Sequence, residues 1–125
     1  MNIACGTDII EISRVKDSIE SDTGNRFLER VYTEKEIQYC ESKKNQKYQH
    51  YAARFAAKEA VFKAISNQLN NKFDIEWKQI EIQNDDSGRP FVTFHNNVID
   101  KIEQIDISLS HCKEYATANA VIIIK

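Results

Sequence analysis

Two spacings of apolar residues divide this chain near its middle. In the first half they recur at intervals of three and four, and in the second half they alternate with polar residues, which are the periods of helix and strand. The opening run Ile3-Ala4-Cys5-Gly6-Thr7-Asp8-Ile9-Ile10 is the exception, and its β-branched content predicts a buried strand over Asn2 to Ile12. Ile12, Val15 and Ile19 then share the inward face of a helix predicted from Glu11 to Ser21, with Arg14 and Lys16 outward. Asp22-Thr23-Gly24-Asn25 reads as a loop and Arg26 to Val31 as a short helical piece. Thr33 with Glu36 three residues later forms a capping box that opens the next helix. Ser42 to Gln49, carrying Lys43, Lys44 and Lys47, reads as a solvated loop and helix entry.

The longest helix is built around Arg54-Phe55-Ala56-Ala57-Lys58-Glu59-Ala60-Val61-Phe62-Lys63-Ala64-Ile65, where alanine and straight-chain residues dominate without Gly or Pro. Tyr48, Tyr51, Ala52, Phe55, Phe62 and Leu69 fall on one apolar stripe, and Glu59 falls on the same stripe. A carboxylate among phenylalanines must be paired, protonated or bound to a cation. An ion pair with Lys63, four residues on, is one resolution, and such a pair is worth about 0.2–0.5 kcal/mol on an exposed helix. Ser66 to Asp74 follows as a polar loop. Beyond it, Lys78 to Gln83 alternates as a half-buried strand, Asn84 to Gly88 turns, and Pro90 to Phe94 returns to close a hairpin. His95 to Ile102 reads as a short helix with Val98, Ile99 and Ile102 inward. Ile105, Ile107 and Leu109 mark another strand, His111 to Glu114 a turn, and Tyr115 to Ile124 a last strand. The class is α+β: helices first, then an antiparallel sheet that the N-terminal strand joins.

Composition narrows the function without naming it. The 125 residues suit one domain spanning 1–125, and 42% hydrophobic with 29% charged residues is ordinary for a globular protein. A net charge of −2 argues against a general nucleic-acid binder. No apolar run approaches the ~20 residues of a membrane span, and no signal-peptide layout opens the chain. Cys5, Cys40 and Cys112 are odd in number, fit no metal-ligand spacing and suggest reduced thiols in a cytoplasm.

The candidate chemistry rests on a second misplaced carboxylate. Asp8 lies between Gly6 and Ile10 on one face of the first strand, where it is either a ligand or, with Glu11, a capping box for the following helix. Two carboxylates on apolar surfaces suit Mg²⁺, which is held by one or two carboxylates plus waters and substrate phosphates. Lys58, Lys63 and Arg54 would neutralise remaining phosphate charge. His111 continues the face of Ile105, Ile107 and Leu109 as a packing residue, or makes an anion site with Ser110 and Lys113. There is no Walker loop, no GxGxxG and no Ser-His-Asp or Cys-His order, so nucleotide hydrolysis and acyl-enzyme chemistry have no support.

Three blocks, taken together, resemble one family. Gly6-Thr7-Asp8-Ile9-Ile10-Glu11-Ile12-Ser13-Arg14, then Arg54-Phe55-Ala56-Ala57-Lys58-Glu59-Ala60 with Lys63-Ala64, then Ser108-Leu109-Ser110-His111-Cys112-Lys113-Glu114-Tyr115-Ala116 look like the signature blocks of bacterial holo-[acyl-carrier-protein] synthases, in the family's order. The resemblance implies the small α+β 4′-phosphopantetheinyl transferase fold, an antiparallel sheet packed against a long central helix, as a homotrimer with active sites between subunits. It implies transfer of 4′-phosphopantetheine from coenzyme A to a serine of apo acyl carrier protein, in support of fatty acid biosynthesis. Asp8 and Glu59 would bind Mg²⁺, Glu59 would take the serine proton and Lys63 would stabilise the leaving phosphate. Arg54, Lys58, Lys63, Ser110 and His111 would line the coenzyme A site, and Arg14 and Arg26 would meet acidic residues of the carrier protein. The chain departs from the family at Ala4, where Gly is usual, and at Ser66-Asn67-Gln68, where a Gly-rich turn is usual.

Overall fold

A computed structural model of the chain describes residues 2–69, 71, 74–95 and 100–125. Strand β1 (Asn2–Glu11) leads into helices α1 (Ile12–Glu20), α2 (Gly24–Val31), α3 (Glu34–Glu41) and the long α4 (Lys47–Ile65). Strands β2 (Ile80–Asn84), β3 (Pro90–Phe94), β4 (Ile102–His111) and β5 (Tyr115–Ile124) follow. The α+β class and the capping box at Thr33 and Glu36 are as the sequence predicts, and β1 does join the C-terminal strands, in antiparallel register from Asn2↔Ile124 to Glu11↔Tyr115. The short helix expected from His95 to Ile102 falls largely on residues 96–99, outside the described residues, and Ile102 already belongs to β4.

One sheet was expected and two are present: β1-β5-β4, and a separate β2-β3 hairpin. The outer edge of β2 is taken up by side chains. Its Ile82 N–H donates to the Glu36 carboxylate at 2.8 Å, and its Ile80 carbonyl accepts from the Lys58 ammonium at 2.7 Å. Side chains from α3 and α4 thus occupy the groups that a further strand would need.

The predicted stripe on α4 matches the buried surface only in part: Tyr51 and Ala52 are fully buried. Ala53, Ala56, Ala57, Ala60, Val61, Ala64 and Ile65 are buried, while Phe55, Glu59 and Phe62 are only half-buried at the rim. The helix is covered on most sides, and small alanines face Ala118, Ala120 and Ile122 of β5, which lets sheet and helix approach closely. Gly6 marks the closest point: a Cβ there would lie 2.0 Å from the Ala60 carbonyl oxygen and 2.8 Å from the Ala64 nitrogen. A second cluster, with Ile12, Val15, Val31, Tyr32, Tyr51 and Ala52, packs α1 and α2 on the other end of α4.

The three-stranded sheet is covered on one face only. On β5, Ala116, Ala118, Ala120 and Ile122 are buried, whereas Val121 on the opposite face is 45% exposed. On the same face of β1, Ile3 and Ile9, paired with Ile123 and Thr117, are 66% and 67% exposed. The open face thus carries Ile3 and Val121 near one end and Ile9 towards the other, with Thr7 and Asn119 between.

Candidate active site

Asp8 and Glu59 meet because β1 lies against α4 at Gly6. Strand alternation turns Asp8 toward the helix, two residues beyond that contact. The two carboxylates line one cavity of about 500 Å³ with Ile9, Ile10, Glu11, Arg14, Phe55 and Tyr115. The capping alternative for Asp8 does not hold: Asp8 lies within β1, and α1 begins after Glu11 without a side-chain cap. The Glu59–Lys63 ion pair does not form either. Lys63 instead donates to the Asp8 carboxylate at 3.2 Å and to the Thr7 carbonyl at 2.9 Å. The ion pairs among the described residues leave Glu59 out. Burial and then the Asp8 charge push the Glu59 carboxyl above its usual range, with Lys63 opposing.

This donor set fits a hard divalent cation that brings other ligands with it. Among the described residues, no group of three or more His, Cys, Asp or Glu is placed to hold a metal, so a complete protein cage is not available. Two carboxylates at one cavity, one of them held unpaired beside a like charge, are what Mg²⁺ needs when waters and phosphate oxygens complete its shell. A cation there would relieve the repulsion that raises Glu59.

Lys58, expected to line a coenzyme A site, has another place. Its ammonium is fully buried and donates to the Trp77 carbonyl at 3.0 Å and the Ile80 carbonyl at 2.7 Å, while pairing with Glu36 at 2.8 Å. An ammonium has three protons, so none is left for a phosphate. Burial lowers its proton affinity, offset in part by Glu36. Glu36 in turn accepts from Thr33 N–H and Ile82 N–H, both at 2.8 Å, and Thr33 Oγ1 donates to Glu81. Lys58 is the centre of a buried polar knot joining α3, α4 and β2.

Arg54 and His111 share a second cavity, of about 660 Å³, with Tyr39, His50, Asn84, Arg89, Asp106 and Ser108 among its lining. It has no lining residue in common with the Asp8–Glu59 cavity. Arg54 is only 2% exposed, its guanidinium lies over the Tyr39 ring at 4.0 Å, and one amino group donates to Asn84 Oδ1 at 2.6 Å. No carboxylate pairs with it among the described residues, and its Nε is buried without a partner. A buried guanidinium in that condition calls for an anion. Ser110 does not join it. It is absent from the lining, although Ser108, on the same sheet face by strand alternation, is part of it. Arg14 and Arg26 stand exposed on α1 and α2.

Sequence reasoning missed His50, Tyr39, Asn84 and Arg89. His50 was discoverable, since it lies one helical turn before Arg54 on the same face. Asn84 and Arg89 come from a hairpin turn whose position against α4 no local pattern encodes.

Comparisons with known proteins agree with this arrangement. The family model described as "4'-phosphopantetheinyl transferase superfamily" matches residues 4–120. The chain is 46% identical to the holo-[acyl-carrier-protein] synthase of Ruminiclostridium cellulolyticum, over 98% of this chain and 92% of that protein. It resembles the crystal structure of a holo-(acyl-carrier-protein) synthase from Bacillus anthracis in complex with CoA (3',5'-ADP), with a TM-score of 0.79 and 31% identity over 98% of this chain and 96% of that one. The Helicobacter pylori holo-[acyl-carrier-protein] synthase in complex with coenzyme A gives a TM-score of 0.82 and 28% identity, over 95% and 99% of the two chains.

Proposed function

The chain belongs to the 4′-phosphopantetheinyl transferase superfamily, and from that premise we propose the following roles for its residues in a Mg²⁺-dependent reaction. The activity is that of a holo-[acyl-carrier-protein] synthase, moving 4′-phosphopantetheine from coenzyme A to a serine of apo acyl carrier protein in support of fatty acid biosynthesis. The serine oxygen forms a bond to the phosphorus of the pantetheinyl phosphate. The bond from that phosphorus to the bridging oxygen breaks, and the electron pair leaves on adenosine 3′,5′-bisphosphate.

Glu59 takes the serine proton. The observation that carries this role is its half-buried carboxyl at the cavity it shares with Asp8, left out of the ion pairs among the described residues. Asp8 and Glu59 would hold Mg²⁺, which when bound supplies positive charge against the pyrophosphate oxygens. Lys63, already at this cavity through Asp8, adds a fixed positive charge for the leaving phosphate. Arg54 and His111 receive a further phosphate of coenzyme A, and exposed Arg14 and Arg26 meet acidic groups of the carrier protein. Lys58 and Ser110 take no part.

One coenzyme A molecule has to reach both residue sets, yet on a single chain they line separate cavities. The open sheet face with Ile3, Ile9 and Val121 offers a surface for further copies. Both features support a homotrimer in which Asp8 and Glu59 of one subunit work with Arg54 and His111 of the next. Among the described residues no helix is long and apolar enough to cross a membrane. With three free thiols, this supports a place in the cytoplasm.

Incubation with apo acyl carrier protein, coenzyme A and Mg²⁺ should add one phosphopantetheine to the carrier, read by intact mass. A folded sample that adds none to several carriers would sink the assignment.

A further inference from the structure

The Arg54 cavity contains a titratable group to which the roles above give nothing to do. His50 is half-buried on α4, and its ring stands edge-to-face with Tyr39 at 5.7 Å between centroids and with His111 at 5.8 Å. The charged and titratable groups that face it come from every element packed there: Tyr39 of α3, Lys43 just beyond α3, Arg54 of α4 and His111 at the end of β4. Arg89 and Asp106, also at this cavity, are paired with each other at 3.0 Å. Burial, followed by the charges of Lys43, His111 and Arg54, holds the His50 imidazole below its usual proton affinity. This setting favours the neutral ring in the free protein.

An anion entering this cavity reverses that balance. The cations that disfavour a second positive charge become partners of the phosphate, and an imidazolium then gains a charge-assisted hydrogen bond. We propose that His50 is a further binding residue of this cavity, meeting the phosphate of coenzyme A that Arg54 and His111 receive and taking up a proton as it enters. The inference rests on the coenzyme A reading above. Its sign follows from linkage: binding raises the proton affinity of the ring, so binding is tighter at low pH and weakens as pH rises through the value of the occupied site. The phosphate monoester itself titrates near pH 6, so the effect is read above about pH 6.5.

Adenosine 3′,5′-bisphosphate is the probe, bound to the full-length protein and followed by calorimetry in two buffers of different ionisation enthalpy. Wild-type affinity should fall by about tenfold from pH 6.5 to 8.5, with net proton uptake at neutral pH. His50→Phe keeps an aromatic ring against Tyr39 and His111 but cannot take a proton. It should bind more weakly than wild type at pH 6.5, lose affinity by only about threefold across the same range, and take up fewer protons. His50→Gln, with no ring, should show the same flattened profile and serves where the Phe variant does not fold. An unchanged slope and proton count in the folded variants would overturn the role of His50 alone. A folded wild-type protein that fails to bind the bisphosphate at any pH would overturn the coenzyme A reading as well.

Discussion

Replacing Lys58 by methionine separates a structural knot from a substrate contact. Methionine retains most of the aliphatic stem and removes the ammonium. It leaves the Glu36 carboxylate in the core without its cation and deprives the carbonyls of Trp77 and Ile80 of their donor. Removing one partner of a buried ion pair costs about 3–5 kcal/mol, because the other charge stays behind in a low dielectric. For a chain of this size, at about 4 °C per kcal/mol, the midpoint of thermal unfolding should fall by roughly 12–20 °C. The double variant Lys58→Met with Glu36→Leu should recover only part of that loss. Glu36 also accepts from Thr33 N–H and Ile82 N–H, and each such bond is worth about 1.5–3 kcal/mol when the acceptor is charged. The assay is circular dichroism on heating, paired with the KM for coenzyme A measured at 15 °C or so, well below the lowered midpoint. The KM should stay within about twofold of wild type, since no Lys58 proton is free for phosphate. A melting point at the wild-type value with a KM raised about tenfold would refute the reasoning and return Lys58 to the coenzyme A site.

Three further outcomes follow from the geometry. Glu59→Gln should abolish transfer yet raise the metal-free melting temperature at pH 8. The charged form of Glu59 is disfavoured in the folded state, so the gain should vanish as pH falls below the ordinary carboxylate range; the same gain at every pH would contradict it. Gly6→Ala places a methyl group against the Ala60 and Ala64 backbone, where nothing flexible can yield. It should cost at least about 1–3 kcal/mol and lower kcat by displacing Asp8 from Glu59, and a variant with wild-type melting and turnover would sink this account of the site. Ile3→Lys, which lines neither cavity, should give folded monomers by analytical ultracentrifugation, without transfer activity; active monomers would remove the need for a second copy.

The sequence carried the local elements and the carboxylate pair further than it carried the site. Asp8 and Glu59 were legible because each breaks an apolar pattern, and a broken pattern is a local signal. The partner of Lys63 was not, because the competition between Glu59 and Asp8 is decided by how closely β1 approaches α4. Helix α4 misled in a similar way: Phe55 and Phe62 lie at the rim, while alanines, which carry little weight in a hydrophobic stripe, make the contact with the sheet. The burial of Lys58 had no local signature either. Its partners Glu36, Trp77 and Ile80 lie 22, 19 and 22 positions away, and a lysine next to a functional glutamate reads as one more phosphate contact until its donors are traced.

The two cavities without a common lining residue have a genetic consequence. In the proposed trimer, an inactive Glu59 variant and an inactive Arg54 variant damage opposite sides of each subunit junction. Neither homotrimer works, but where an intact Glu59 side abuts an intact Arg54 side a whole site is restored. Random assembly of equal amounts would restore about a quarter of the junctions. Two null alleles of this gene would therefore complement one another when expressed together, whereas two alleles damaged in the same cavity would not.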